Sequence, residues 1–497
     1  MNLLNPNRPT TSRAWPTKRA SSHRYPILLF SLLFFSFFFV FSFYSLPLKS
    51  LISSKTLTSS LSPQCAPAHG GEKFLWYAPH SGFSNQLSEF KNALLMAAIL
   101  NRTLVVPPIL DHHAVALGSC PKFRVLGPNE IRISVWDHVV ELIRSGRYVS
   151  MADIIDISSL VSSSLVRAVD FRVFASLWCN LNIDSTCVDE LDPRSSSLDS
   201  LKQCGSFLSG PDGSVSKCLY AVNEDCRITV WTYQNGNEDG ALDSFQPDEQ
   251  LKRKKKISYV RRRQDVYKRL GPGSEADLAT VLAFGSLFSG PYKGSESYID
   301  IHESPRDQRI QNLIEKIEFL PFAPEIISAG KMYAHDNIQA PFLCAQLRLL
   351  DGQFKNHWKT TFLGLQQRIE SLGQSPHPIH IFVMTDLPEA NWTGSYLGNL
   401  AADSLRFKLF FLKESDQLVL QTAKRLVGAN HGMRFRFHPK IRNGESQVTE
   451  LCHPSRLPDV LLYVEETVCS CASLGFVGTT GSSIAESIEL MRKFEIC

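Results

Sequence analysis

Three stretches of the chain combine residue types and spacings that suit binding an anion. The first is Gly82-Phe83-Ser84-Asn85-Gln86, inside FLWYAPHSGFSNQLSEFKNALLMAAILNRTLVVPPIL (Phe74–Leu110). Its polar residues, His80–Gln86, read as a turn from a strand into a helix. Free N–H groups and the positive end of the helix dipole favour a phosphate there. Most such turns in α/β proteins bind nothing, and this one lacks a full G-x-G-x-x-G pattern. The second is Cys344-Ala345-Gln346-Leu347-Arg348, an apolar strand running to an arginine, with Asp351 three residues on. A guanidinium at a strand end lays a planar, permanently charged fork on a phosphate; a structural pair with Asp351 is the alternative. The third is Gly478-Thr479-Thr480-Gly481-Ser482-Ser483, a strand-to-helix turn bearing four hydroxyls. It suits a phosphate or a sugar hydroxyl, while Ser482 or Ser483 also fits as the cap of the helix that follows.

Alternating strands and helices must position these stretches. Phe74–Ala78 is short, apolar and aromatic, as a buried strand is. Leu87–Leu100 follows a helical period with Leu87, Phe90, Leu94 and Ala98 on one face, and Leu104–Val106 is a second strand ended by Pro107-Pro108. Ile131–Val140, Tyr148–Ser150 and Leu165–Phe174 continue as short apolar segments. Asp184–Glu249 reads as an irregular, Cys-rich, disulfide-pinned insertion, and Asp277–Phe288 closes the first domain. Ile310–Leu320 is an amphipathic helix stopped by Pro321. Strands follow at Phe342–Leu347, Ile379–Met384, Phe407–Leu412 and Phe476-Val477, with helices at His357–Leu372, Gln417–Val427, Asp459–Cys471 and Ile484–Arg492. Two α/β domains in series, facing a cleft, are the economical architecture, with ligands at the C-terminal ends of strands.

At 497 residues with 43% hydrophobic and 20% charged residues, the composition is that of a globular protein of two or three domains. A net charge of +4, mixed in sign, argues against nucleic acid as a partner. The basic run Lys252–Lys256 with Arg261–Arg263 fits a solvated loop better than a targeting signal. Pro26–Leu46 is a stretch of 21 uncharged, apolar residues, long enough to span a bilayer. Arg8, Arg13, Lys18, Arg19 and Arg24 precede it and predict a cytosolic N-terminus, so the segment reads as an uncleaved type II anchor rather than a signal peptide. The expected layout is a tail (1–25), an anchor (26–46), a stem (47–70), an N-terminal domain (71–300) and a C-terminal nucleotide-sugar domain (301–497). The body then lies in the lumen of the Golgi or ER. Sequons at Asn101 and Asn391 agree with that, as do the 12 cysteines, which read as disulfides of open connectivity. No cysteine–histidine spacing suggests a metal site, and the chain has no Asp-x-Asp. A lumenal α/β protein that handles a nucleotide diphosphate without metal needs helix N-termini and arginine in its place.

The stretches GFSNQ…LNRTLVVPP, CAQLR and GFVGTTGSSIAESIELMR, in that order, resemble the motifs of the GDP-fucose protein O-fucosyltransferase family. The anchor and stem look like its large plant branch. Gly82 stands where the family has Arg, Ser84 where it has Gly, and Gln346 where it has His. The resemblance implies a GT-B-type fold of two Rossmann-like domains and the inverting, metal-independent transfer of L-fucose from GDP-β-L-fucose to a hydroxyl of a protein or glycan. It implies donor contacts from Gly82, Phe83, Ser84, Asn85, Gln86, Gln346, Leu347, Arg348, Glu466, Ser483 and Ile484. Arg348 takes the phosphates, Asn85 orients donor or acceptor, and Glu466 and Ser483 hold nucleoside and phosphate groups. No cofactor besides the donor is expected. Asp351 is the carboxylate nearest Arg348 in sequence, but pairing with that arginine would make it a weak base, so unassisted transfer competes. Two alternatives remain: a same-fold transferase using another nucleotide sugar on a cell-wall polysaccharide, and a non-catalytic glycan- or protein-binding relative.

Overall fold

Strand Phe74–Tyr77 (β1) is buried along its whole length, and the sheet it centres is covered on both faces. The computed structural model describes residues 71–80, 82–110, 128–181, 183, 195–210, 215–222, 229–231, 259–261, 270–287, 308–350, 354, 358–373, 376–435 and 457–497. The expected tail, anchor and stem lie outside these residues, as do Asp351 and the basic run Lys252–Lys256. Among the described residues no helix is long and apolar enough to cross a membrane.

The strands are β1, Thr103–Val106 (β2), Arg167–Asp170 (β3), Val215–Ser216 (β4), Leu219–Val222 (β5), Thr229–Trp231 (β6), Tyr259–Arg261 (β7), Val281–Phe284 (β8), Phe342–Leu347 (β9), Ile379–Thr385 (β10), Phe407–Phe410 (β11) and Gly475–Gly478 (β12). The helices are Phe83–Ile99 (α1), Pro128–Arg144 (α2), Met151–Ile154 (α3), Ser158–Ser162 (α4), Phe171–Cys179 (α5), Ser195–Cys204 (α6), Gln308–Glu318 (α7), Pro324–Tyr333 (α8), Trp358–Ser371 (α9), Tyr396–Ala402 (α10), Gln417–Ala429 (α11), Leu461–Ser470 (α12) and Ser483–Lys493 (α13).

One sheet has the order β3-β2-β1-β8-β5-β4, parallel except for the β4–β5 pair, and a second has the order β11-β10-β9-β12, parallel throughout. Each sheet winds outward from its founding strand (β1 to β2 to β3, β9 to β10 to β11) and then returns to that strand's other side. The direction of winding therefore changes between β1 and β8 and between β9 and β12. At such a switch point the connections leave on opposite faces and open a crevice at the C-terminal strand ends.

The pleat explains how the core divides. Phe74 and Trp76 pack on the outer face of the first sheet with Val105, Trp136 and Phe174. Leu343, Ala345 and Leu347 do the same for the second sheet, with Leu365, Ile381 and Val383. The alternate residues Leu75 and Tyr77 of β1 and Phe342 and Cys344 of β9 belong to one cluster that also holds Phe90, Leu313, Val464 and Ile488. The described residues fall within one compact unit, Pro63–Cys497. Polar ties reinforce the junction between the sheets: Gly432 N–H donates to Asp153 Oδ1 at 2.8 Å and Asp170 N–H to Phe435 O at 3.2 Å.

Several expectations are refined or corrected. Ile131–Val140 belongs to helix α2, and Leu165–Phe174 divides into β3 and the start of α5. Asp184–Glu249 is not merely an insertion, because it supplies α6 and the strands β4 and β5; β5 is an interior strand of the first sheet. Its Ser- and Cys-rich surroundings hide the apolar pairing of Leu219–Val222 with Val281–Phe284. The helix after β1 starts at Phe83, four residues before the apolar period begins, since the first turn of a helix need not be apolar. Disulfides join Cys179 to Cys204, Cys344 to Cys469 and Cys471 to Cys497, and no cysteine among the described residues is free.

Candidate active site

The second sheet's switch point is built from the ends of β9, β10 and β12. Gln346, the last polar residue of β9, is 3% exposed and tied to the turn after β12. Its Oε1 accepts from Thr479 N–H at 3.1 Å, and its Nε2 lies 3.5 Å from Ser482 Oγ. Thr479 N–H also donates to Gln346 O at 3.0 Å. The glutamine therefore joins two strand ends and does not reach into solvent. Leu347 is fully buried in the outer core, so its side chain cannot touch a donor. Arg348 is half-buried just beyond the strand, with its guanidinium 5.1 Å from the ring of Phe354.

The turn Gly478–Ser482 needs its two glycines. Gly481 has φ +74°, a left-handed conformation, and a Cβ on Gly478 would stand 2.5 Å from the Ala485 Cβ. The close approach draws the start of α13 onto the end of β12. Ser482 occupies the N-cap position of α13 but its side chain makes no cap hydrogen bond, and neither does Gly82 at the N-cap of α1. The expected serine cap is thus absent, and both helices begin with N–H groups that no cap side chain has taken.

These two helix starts meet. A cavity of about 230 Å³ is lined by Phe83, Ser84, Leu87 and Lys91 of α1, by Ser483, Glu486 and Ser487 of α13, and by Glu466 of α12. The ring of Phe83 packs at a tilt against Tyr463, with centroids 4.6 Å apart, and lies 6.3 Å from the ring of Phe322, which fixes the entry of α1 against the second half. Glu466 is 1% exposed and accepts from Ser487 Oγ at 2.6 Å. Burial pushes its carboxyl up to about 8, and the Ser487 hydrogen bond opposes that shift. An acid titrating so close to neutrality can donate or accept a hydrogen bond, as the polar edge of a nucleobase requires.

Of the residues predicted from sequence, Phe83, Ser84, Glu466 and Ser483 therefore line one cavity, while Gln346 and Arg348 stand at the end of β9, which Thr479 ties to the turn before α13. Gln86 does not take part. It is fully buried, and both ends of its amide are spent on Leu110: Nε2 donates to the carbonyl at 3.0 Å, and Oε1 accepts from the N–H at 2.9 Å. Asn85 is half-buried on the first turn of α1 outside the cavity lining, and Ile484 packs against the inner core. Gly82 contributes backbone alone. A larger groove of about 780 Å³, lined by Phe322, Lys331, His335, Asp336 and Glu495 among others, holds none of the predicted residues. It flanks the end of α8, which feeds into β9, and the residues after α13, and it shares Phe322 with the smaller cavity.

Two polar groupings escaped sequence reading. Asp386, just after β10, holds the backbone beyond Arg348; IHIFVMTD marked the strand end but not the partner. His80, Glu89 and Ser286 meet at the first sheet's switch point, where no sequence signal links residues about two hundred positions apart. His80 Nε2 lies 3.0 Å from both Ser286 Oγ and Glu89 Oε1, and Leu287 N–H donates to Glu89 Oε2 at 3.2 Å. Both His80 and Glu89 side chains are fully buried. Burial lowers His80 to about 3 and raises Glu89 well above the ordinary carboxyl range, so the pair is held uncharged.

The fold is that of an α/β protein whose parallel sheets open a crevice at their C-terminal strand ends. No family model matches the sequence. Across 506 aligned residues the chain is 59% identical to O-fucosyltransferase 30 of Arabidopsis thaliana, covering 100% of this chain and 99% of that protein. The chain belongs to the O-fucosyltransferase family and is a glycosyltransferase. Among solved structures, POFUT1 in complex with GDP-fucose aligns with 85% of this chain and 94% of its own, at 12% identity and a TM-score of 0.37. Fucosyltransferase NodZ from Bradyrhizobium covers 84% and 93% at 10% identity and a TM-score of 0.35. At such scores these two likenesses carry no argument about this chain.

Proposed function

We propose that the chain is an inverting, metal-independent O-fucosyltransferase of GT-B type. It moves L-fucose from GDP-β-L-fucose to a hydroxyl of a protein or glycan. The observation that carries this reading is the convergence of the first and last family-like motifs on one cavity: Phe83 and Ser84 from α1, Ser483 from α13, with Glu466 between them. Arg348, at the adjoining strand end, supplies positive charge of the kind a departing diphosphate needs. The acceptor oxygen attacks C1 of fucose from the face opposite GDP. The C1–O bond to the β-phosphate breaks with its electron pair going to the phosphate oxygen, and the acceptor proton leaves to a base or to solvent. Stabilising that oxygen lowers the barrier only if the contact is stronger in the transition state than in the ground state, as an arginine fork on developing charge is. Glu466 recognises the nucleoside and Ser483 a phosphate oxygen, with the free N–H groups of α1 and α13 adding positive potential.

The same reading places the body in the lumen of the Golgi or ER behind a type II anchor, with Asn101 and Asn391 carrying N-glycans. The relative's name supports fucose as the sugar; a same-fold transferase for another nucleotide sugar is the outcome to be tested. Full-length protein is to be assayed for sugar release from a panel of GDP-, UDP- and ADP-sugars. Turnover of GDP-fucose well above the rest is expected. Preference for a different donor overturns the fucose assignment, and GDP at about 100 times its dissociation constant should stabilise the fold by about 2.7 kcal/mol.

A further inference from the structure

Beyond β9 three consecutive backbone N–H groups are each held by a side-chain oxygen from a neighbouring strand end. Arg348 N–H donates to Thr479 Oγ1 at 2.9 Å, Leu349 N–H to Asp386 Oδ1 at 2.7 Å and Leu350 N–H to Asp386 Oδ2 at 3.0 Å. Asp386 follows β10 and Thr479 follows β12, the two strands that flank β9. Thr479 Oγ1 donates its own proton to Gln346 O at 3.2 Å, which leaves its lone pairs facing Arg348 N–H. The Trp358 indole N–H donates to Leu349 O from the far side.

Two physical consequences follow. A strand end past its last ladder partner ordinarily has free N–H groups and mobile dihedrals, whereas here the backbone on both sides of the Arg348 side chain is pinned. These N–H groups are also no longer available to an anion, so attraction for a phosphate at this edge rests on the guanidinium. A carboxylate beside an anion site opposes binding by its charge, so its presence there needs a different purpose, and its two oxygens on consecutive N–H groups give one.

We propose that Asp386, with Thr479, is a positioning residue that fixes the Arg348 guanidinium for departure of the nucleotide diphosphate. The proposal rests on the role given to Arg348 above. A misplacement of about 1 Å can cost on the order of a hundredfold in rate, which sets the scale expected.

The test is GDP release from GDP-fucose by the full-length protein, with kcat and KM measured separately. Asp386→Ala should lower kcat roughly 10- to 100-fold with KM changed far less. In an Arg348→Ala background the same substitution should cause no further loss, because the residue it positions is gone. Thr479→Val should lower kcat in the same sense, and Thr479→Ser, which keeps the hydroxyl, should restore it. If Asp386→Ala does not fold, Asp386→Asn, which leaves one N–H without an acceptor, replaces it in the same cycle. An equal loss with and without Arg348 assigns Asp386 a merely structural part and overturns the proposal, as does unchanged kcat in Asp386→Ala beside an inactive Arg348→Ala. Full turnover by Arg348→Ala overturns the reading of the site itself, and the positioning role with it.

Discussion

The two switch points of this molecule occupy equivalent places in their sheets and are filled differently. Between β1 and β8 the crevice is plugged: His80, Glu89 and Ser286 meet there, the first two fully buried and kept neutral by that burial. Between β9 and β12 the strand ends are also cross-tied, by Gln346 and Thr479, yet the residue presented beyond them is a half-buried, permanently charged arginine. The topology makes both crevices equally suitable for a ligand. On the reading proposed above, the side chains make the first a scaffold and the second a site. On that reading the first half contributes through the start of α1, whose Phe83 and Ser84 line one cavity with residues of α12 and α13.

Substitutions can break this comparison. The largest effect is expected at the second switch: Arg348→Ala should keep its fold, shown by an unchanged urea midpoint, and lose GDP-fucose turnover by about 10²–10³-fold or more, the scale for removing a preorganised charge partner. Wild-type turnover would erase the distinction between the crevices. Next is Glu89→Ala at the first switch, which opens a void and leaves the Leu287 N–H without its acceptor. A loss of about 2–4 kcal/mol in unfolding free energy is expected, with kcat per folded molecule little changed. A selective fall in kcat without loss of stability would show that the buried cluster also acts in the reaction.

A pH-dependent effect is expected from Glu466→Gln. In the unfolded chain this carboxyl titrates near 4.5, and in the fold it titrates near 8. Between those values the unfolded state has released the proton that the folded state keeps, so rising pH favours unfolding. The stability this group contributes is fully present below about 4.5 and is lost as the pH climbs through about 8, by on the order of 1 kcal/mol per unit. Paired urea titrations at pH 5 and pH 8 should therefore show the variant gaining on the wild type as pH rises. A constant difference between them would mean the carboxyl is already ionised in the fold.

Much of the second sheet was legible because its strands are short, continuous apolar runs: Phe342–Leu347 was placed to the residue, and Ile379–Met384 to within one. The first sheet was harder. Leu219–Val222 is only four residues long and lies in a polar, Cys-rich stretch, and its burial depends on pairing with β8 some sixty residues later. At the site, sequence chose the neighbourhood well and individual contacts less well. Gln86 and Gln346 have the composition of ligand donors, but each spends its amide within the protein, Gln86 on the backbone of Leu110 and Gln346 on Thr479 N–H and Ser482 Oγ.

The sequence by itself determined the residues that local chemistry dictates: an arginine ending a buried strand, two glycine-marked turns into helices, and the order of the motifs. The tertiary structure decided which of them meet. Burial and hydrogen-bond partners come from segments far apart in the chain, so only the fold could set Glu466 beside Ser84, withdraw Leu347 into the core, close the first crevice with a histidine–glutamate pair and bring Asp386 under the backbone of Arg348.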